Sequence, residues 1–157
     1  MSNPSATLLN LEDSLRTVID SLTDGQIGLR KIGEELQDPT LKLYFLDESL
    51  VRAEFRGALE SILHHEGVRD IAESESTSAK FNRVWAKLKA KIDGGDYSLL
   101  ETAENDQHIA IKAYTHALNQ ELPFPVRQTL ISQAFRIQLF HDYVLAVRQL
   151  KNTEAAS

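Results

Sequence analysis

Leu41-Lys-Leu-Tyr-Phe-Leu-Asp-Glu-Ser-Leu-Val-Arg-Ala-Glu-Phe55 carries the repeat that decides the fold. Advancing about 100° per residue, Leu41, Phe45, Glu48, Arg52, Phe55, Leu59 and Ile62 share one side of a helix, while Leu46, Leu50 and Glu54 do not. A face so apolar belongs in a core. The carboxylate and guanidinium it contains, Glu48 and Arg52, must find partners there, because an unpaired charge is costly to remove from water.

Upstream the same period recurs: Leu8, Leu11, Leu15, Val18, Leu22, Leu29 and Leu36 line a first helix, about 7–36. Asp38-Pro39 ends it and starts the second, about 39–66, since Asp38 can cap and Pro39 suits the first helical position, where an N–H would be unpaired anyway. Gly33 falls on the apolar face, either to let a neighbouring backbone approach or by simple tolerance, and Asp24-Gly25 could mark a kink. Gly67 is a left-handed stop for the second helix. His64 and His65 in its last turn point about 100° apart, which suits the helix C-terminus and solvent better than a shared metal.

Downstream, Val68 to Ser78 reads as a polar, mobile loop ending in an N-cap. Its serines have no strand-to-helix elbow and no fixed histidine beside them, so solvation outweighs nucleophilic chemistry. A shorter helix, about 78–92, gathers Phe81, Val84, Trp85, Leu88 and Ile92 on one face and spreads Lys80, Arg83, Lys87, Lys89 and Lys91 around the wetter side. Asp93-Gly94-Gly95-Asp96 stops it and caps a third long helix, about 97–121, whose inner face is Leu99, Leu100, Ala103, Gln107, Ala110, Ile111, Tyr114, Ala117 and Leu118. Glu104 and His108 project from its edge. Pro123-Phe124-Pro125 turns the chain into a last helix, about 125–151, with Leu130, Ala134, Ile137, Gln138, His141, Leu145 and Arg148 inward and 152–157 as a frayed tail.

No stretch sustains strand-like alternation, so the class is all-α. The crossover helix, at about 1.5 Å per residue, spans more than 20 Å, so the third long helix can begin where the second began. Two hairpins joined by one such crossover are the ferritin-like four-helix arrangement, here as a single domain over 1–157. Seventeen basic against 23 acidic residues, without a basic run, argue against nucleic acid or an anionic membrane as partner. The lack of cysteine removes disulfides and thiolate chemistry, and no span is long and apolar enough for a signal or a membrane helix. A cytoplasmic protein is expected.

Each long helix interrupts its inner face with polar residues: Gln26, then Glu48 and Arg52, then Gln107, then Gln138 and His141. Gln26 lies about twelve residues before the first turn and Glu48 to Arg52 about ten to fourteen after it; Gln107 lies about sixteen before the second and Gln138 to His141 about fifteen to eighteen after it. All four sets therefore fall at one height. A single polar layer is expected, in which Glu48 pairs with Arg52 while Gln26, Gln107, Tyr114, Gln138 and His141 satisfy the remaining donors and acceptors.

Asp24-Gly25 with Gly28, Asp38-Pro39 with Leu41 and Phe45, Arg52-Ala53-Glu54-Phe55, Trp85, Ala113-Tyr114 and His141-Asp142 together give the chain its likeness. It resembles a bacterial family of ferritin-like four-helix-bundle proteins of unknown function, rubrerythrin- and bacterioferritin-like in architecture. That resemblance implies a position for two metal ions, held by a Glu on each of two helices and a Glu-x-x-His on each of the others. Here Gln26 and Gln107 stand for the single glutamates, Gln138-x-x-His141 for one motif and Glu48-x-x-Val51 for the other. Neutral amides cannot supply the required charge, so no catalytic residue and no cofactor is expected; any metal would rest on Glu48 and His141, with iron or manganese as the alternative.

The expected protein is thus non-enzymatic, with a di-metal oxidoreductase or metal-binding protein as the alternative. Phe135, Leu139, Tyr143 and Leu150 form a second apolar stripe on the last helix. The crossover helix is expected to cover it, a homodimer or another protein partner being the alternative.

Overall fold

The computed structural model describes residues 4–68, 71 and 76–156. Among these residues the regular secondary structure is all helix, with α1 (Pro4–Glu35), α2 (Pro39–His65), α3 (Thr77–Ile92), α4 (Gly95–Leu118) and α5 (Phe124–Ala156). The centre of the expected loop after Val68, including Ser74, lies outside them, as does Ser157. α1 passes Gly25 without a break, and α5 runs beyond the expected end at Lys151, so the predicted tail is helical as far as Ala156.

Helix ends follow from local chemistry. Asp38 Oδ1 accepts from the Thr40 and Leu41 N–H groups at 3.0 and 3.2 Å, with Pro39 next to the cap. Gly67, at φ 95°, closes α2: its N–H reaches the His64 carbonyl at 3.0 Å, and the Val68 N–H reaches that of Leu63 at 2.9 Å. Those two bonds and the left-handed glycine make a Schellman stop. Ser76, rather than Ser78, caps α3 by accepting from the Ala79 N–H at 3.1 Å.

Asp96 does not cap α4. Gly94 occupies that position without a side-chain bond, and the Asp96 carboxylate instead accepts from the Gln37 and Asp38 N–H groups, at 2.9 and 3.0 Å, in the turn between α1 and α2. The junction of α3 and α4 is thereby fixed to the first hairpin turn. Lys151 Nζ, 3.6 Å from Asp38, brings the end of α5 to the same place. α3 therefore returns the chain along the molecule, as its length requires.

α1 packs on α2 and on α4, and α4 packs on α5. Gly33 permits the close α1–α2 approach, because a Cβ there would stand 3.1 Å from Leu46 Cδ2 and 3.3 Å from Phe45 Cβ. α2 and α5 meet through large rings: Phe140 lies 5.4 Å from Tyr44 and 5.2 Å from Phe45, centroid to centroid. α3 seats on α1 and α4, not on α5. The α5 stripe therefore stays open, with Phe135, Leu139, Tyr143 and Leu150 exposed.

Two sequence-based faces need correction. Lys80, expected on the wet side of α3, is fully buried, its Nζ 3.0 Å from Asp20 on α1. The dispersed cations of α3 are partly consumed in this way, since Arg83 reaches Asp24 and Lys87 reaches Asp106. On α5 the buried residues are Val126, Leu130, Gln133, Ile137, Phe140, His141 and Val144, a face rotated from the expected one, so that Gln138 lies exposed. Apolar residues surround α5 on nearly every side, and periodicity could not single out the inward ones.

The buried apolar residues form two clusters. One holds Leu15, Val18, Leu22, Leu59, Leu63, Tyr114, Leu130 and Ile137; the other holds Leu29, Ile32, Leu41, Phe45, Leu99, Ala103, Phe140 and Val144. Every long helix passes from one to the other. On α2 that passage spans Glu48 and Arg52, and on α4 it spans Gln107.

Candidate functional site

Between the two clusters lies a buried ionic chain. Glu48 and Arg52 are each 1% exposed, one turn apart on α2, with Arg52 Nε 3.5 Å from Glu48 Oε1 in an ion pair without hydrogen-bond alignment. Arg52 Nη2 donates to Gln107 Oε1 at 2.6 Å, and the Gln107 amide donates in turn to the Ala103 carbonyl at 3.1 Å. From the other side Arg136 of α5, half in solvent, donates through Nη2 to Glu48 Oε2 at 3.0 Å. The order is Arg136, Glu48, Arg52, Gln107.

Two further contacts seat the Arg52 guanidinium. The Phe140 ring centroid lies 5.6 Å from its Cζ, and α1 crosses this level at Gly25, where a Cβ would stand 3.4 Å from Nη1. Burial pushes the Arg52 guanidinium down from its ordinary value and Glu48 pulls it back. The hydrogen bond to Glu48 raises Arg136. Both effects bind the two cations to one carboxylate.

Arg52 and Gln107 also form the inner wall of a cavity of about 320 Å³ between α1, α3 and α4, with Gly25 and Gly28 along one side. Its rim carries paired charges, Arg83 with Asp24 at 2.9 Å and Lys87 with Asp106 at 2.8 Å. Burial raises the Asp106 carboxyl, and Lys87 opposes that rise.

The remaining residues expected in the layer go elsewhere. Gln26 is half-buried in a groove with Arg30, Lys31, Arg56 and Phe81, so α1 contributes a glycine rather than an amide to the layer. Tyr114 is buried among the apolar residues of one cluster and donates to Gln133 Oε1 at 2.8 Å, while the Gln133 amide donates to the Phe55 carbonyl at 3.3 Å. Burial raises its hydroxyl well above the ordinary tyrosine value. Gln138 sits outside, donating to Asp142 at 2.9 Å.

His141 is buried, but it faces α4 and not Glu48. Its Nε2 lies 3.2 Å from His108 Nε2 and 3.9 Å from Glu104 Oε1. Glu48 and His141, paired by the sequence reading as the fallback metal ligands, thus have separate partners. Gln133, Arg136, Glu104 and His108 were not placed in a site by that reading. The one-turn spacing of Glu104 and His108 was visible; that their edge of α4 abuts α5 was not.

The ionic chain is a poor place for two metal ions. Glu48 is its one carboxylate, both oxygens face guanidinium groups, and the neighbouring amide of Gln107 is neutral. Hard cations at this level would meet positive charge already in place.

The chain belongs to the family described as Domain of unknown function (DUF2383), matched over residues 10–120. That span holds Glu48, Arg52, Gln107, Glu104 and His108, whereas Arg136 and His141 follow it. No curated protein matches the chain. No helix among the described residues is long and apolar enough to cross a membrane.

Proposed function

We propose that this protein is a ferritin-like four-helix bundle that acts by association rather than by turnover, with an ionic layer where a di-metal centre would sit in that architecture. The observation that carries this reading is Glu48 held between Arg52 and Arg136. Two guanidiniums take the place that two cations would fill, and they answer the charge of Glu48, the carboxylate buried in the layer. The pairing of α1 with α2 and of α4 with α5, and the lengthwise run of α3, support the architecture.

The surface for association is the exposed ridge of Ile131, Phe135, Leu139 and Tyr143 on α5. These residues recur every fourth position, so the ridge of one copy can enter the groove of a second across a two-fold axis. A second copy of the chain is the partner this repeat fits.

Anaerobic titration of the purified chain with Fe(II) and Mn(II), followed by elemental analysis and near-ultraviolet spectroscopy after exposure to air, tests the central layer. The expected result is no two-ion stoichiometry and no oxo-bridged iron band. Two ions per chain with that band would replace this reading by the di-metal oxidoreductase.

A further inference from the structure

Glu104 and His108 stand one turn apart on α4, and His141 of α5 closes over them. One potential ligand atom from each residue can be chosen so that all three lie within 4.8 Å of one another. The rings of His108 and His141 are inclined at 62° with centroids 4.5 Å apart, so they converge edge on rather than stack. His141 is buried, Glu104 is half-buried and His108 is exposed, which leaves one side of the cluster open to water.

The outer contacts orient these groups. Asp142 Oδ1 lies 3.1 Å from His141 Nδ1 and is held by the Gln138 amide at 2.9 Å. A proton on Nδ1 directed at that carboxylate leaves the lone pair on Nε2, facing His108 and Glu104. On the opposite side Arg148 Nε lies 2.7 Å from Glu104 Oε2 in an ion pair without hydrogen-bond alignment, which holds Oε2 by charge and leaves Oε1 on the His141 side. Two imidazole nitrogens 3.2 Å apart match the separation of about 3.3 Å expected for nitrogens sharing a tetrahedral ion at 2.0–2.1 Å bond lengths.

We propose that Glu104, His108 and His141 bind one divalent cation of the zinc class, with solvent in the fourth position. Two imidazoles and one carboxylate suit Zn²⁺ and its borderline neighbours, whereas Ca²⁺ and Mg²⁺ require more oxygen donors than the cluster offers. The site uses two helices at their shared seam and is separate from the ionic chain, where Glu48 is taken up by arginines. Asp142 and Arg148 act as positioning residues, fixing the imidazole tautomer and the carboxylate orientation.

The test is calorimetric titration of the metal-free full chain with Zn²⁺, with Co²⁺ absorption as a reporter of tetrahedral coordination. One ion per chain is expected. His108→Ala, at an exposed position, should keep the apo melting temperature and weaken binding by about a hundred-fold or more. Asp142→Asn should weaken it by about ten- to a hundred-fold, the usual effect of losing an outer partner of a ligating histidine. A His64→Ala/His65→Ala control should change nothing. Absence of Zn²⁺ binding, or binding that survives His108→Ala, overturns the assignment and leaves the two rings as a hydrogen-bonded pair. Failure of the central-layer reading would instead appear as two iron ions that His108→Ala does not displace.

Discussion

Removing Arg52 leaves Glu48 with a second guanidinium, Arg136, and removes the side-chain donor that Gln107 Oε1 has among the described residues. Arg52→Met should cost about 3 kcal/mol, the lower end for breaking a buried pair, because Arg136 still answers part of the Glu48 charge. Glu48→Leu with Arg52→Met should recover much of that loss. About 1 kcal/mol should remain while the buried Gln107 carbonyl lacks its donor, and Gln107→Leu added to the pair should remove this remainder of the cost. Urea unfolding of the singles, the double and the triple measures each step, and strictly additive losses would mean that the groups are not coupled. Sequence alone placed Glu48, Arg52 and Gln107 at one height, since a straight helix turns residue number into distance. It could not place Arg136, whose long side chain reaches Glu48 from the outer side of α5.

At the scale of elements, α3 is docked by an asymmetric ion pair: Lys80 is 1% exposed at its side chain and Asp20 is 33% exposed. Lys80→Met keeps the apolar stem and leaves an aspartate that water can solvate, so it should cost no more than about 1 kcal/mol. Asp20→Ala leaves a buried ammonium alone and should cost about 3 kcal/mol. Equal losses in denaturant unfolding would contradict that asymmetry. The cap of α2 gives a pH prediction. The Leu41 and Thr40 N–H groups and Lys151 hold the Asp38 carboxyl below its ordinary value. The native state therefore binds this proton less readily than the unfolded chain. Its contribution should be complete above about pH 5 and fade as pH falls through the depressed native value. Asp38→Asn keeps an acceptor at the cap without this titration, so the stability gap to wild type should narrow between about pH 5 and pH 2 in thermal melts.

For the whole molecule, the open α5 ridge predicts a concentration-dependent dimer in sedimentation equilibrium. Phe135→Glu with Leu139→Lys should return it to monomer without unfolding it, because both residues are at least half-exposed, Phe135 at 65% and Leu139 at 50%. A wild-type protein that stays monomeric at high concentration would remove association through this ridge. The ridge was legible as a stripe; that α3 leaves it open follows from ion pairs the stripe does not contain, from Lys80 and Arg83 to α1 and from Lys87 to α4.

The helical class, the two proline turns, the stop at Gly67 and the common height of Glu48, Arg52 and Gln107 are properties of the sequence by itself, because propensity, capping and rise per residue act along one chain. Three matters were decided only in three dimensions. Asp96 joined the first turn instead of capping α4, because two backbone N–H groups there lay within its reach. Gln26 and Gln138 left the layer, because helix rotation is set by which neighbour offers the deeper apolar groove, and α5 has apolar residues on most sides. His141 turned to Glu104 and His108, because α4 and α5 share an edge whose two halves lie 33 residues apart in sequence.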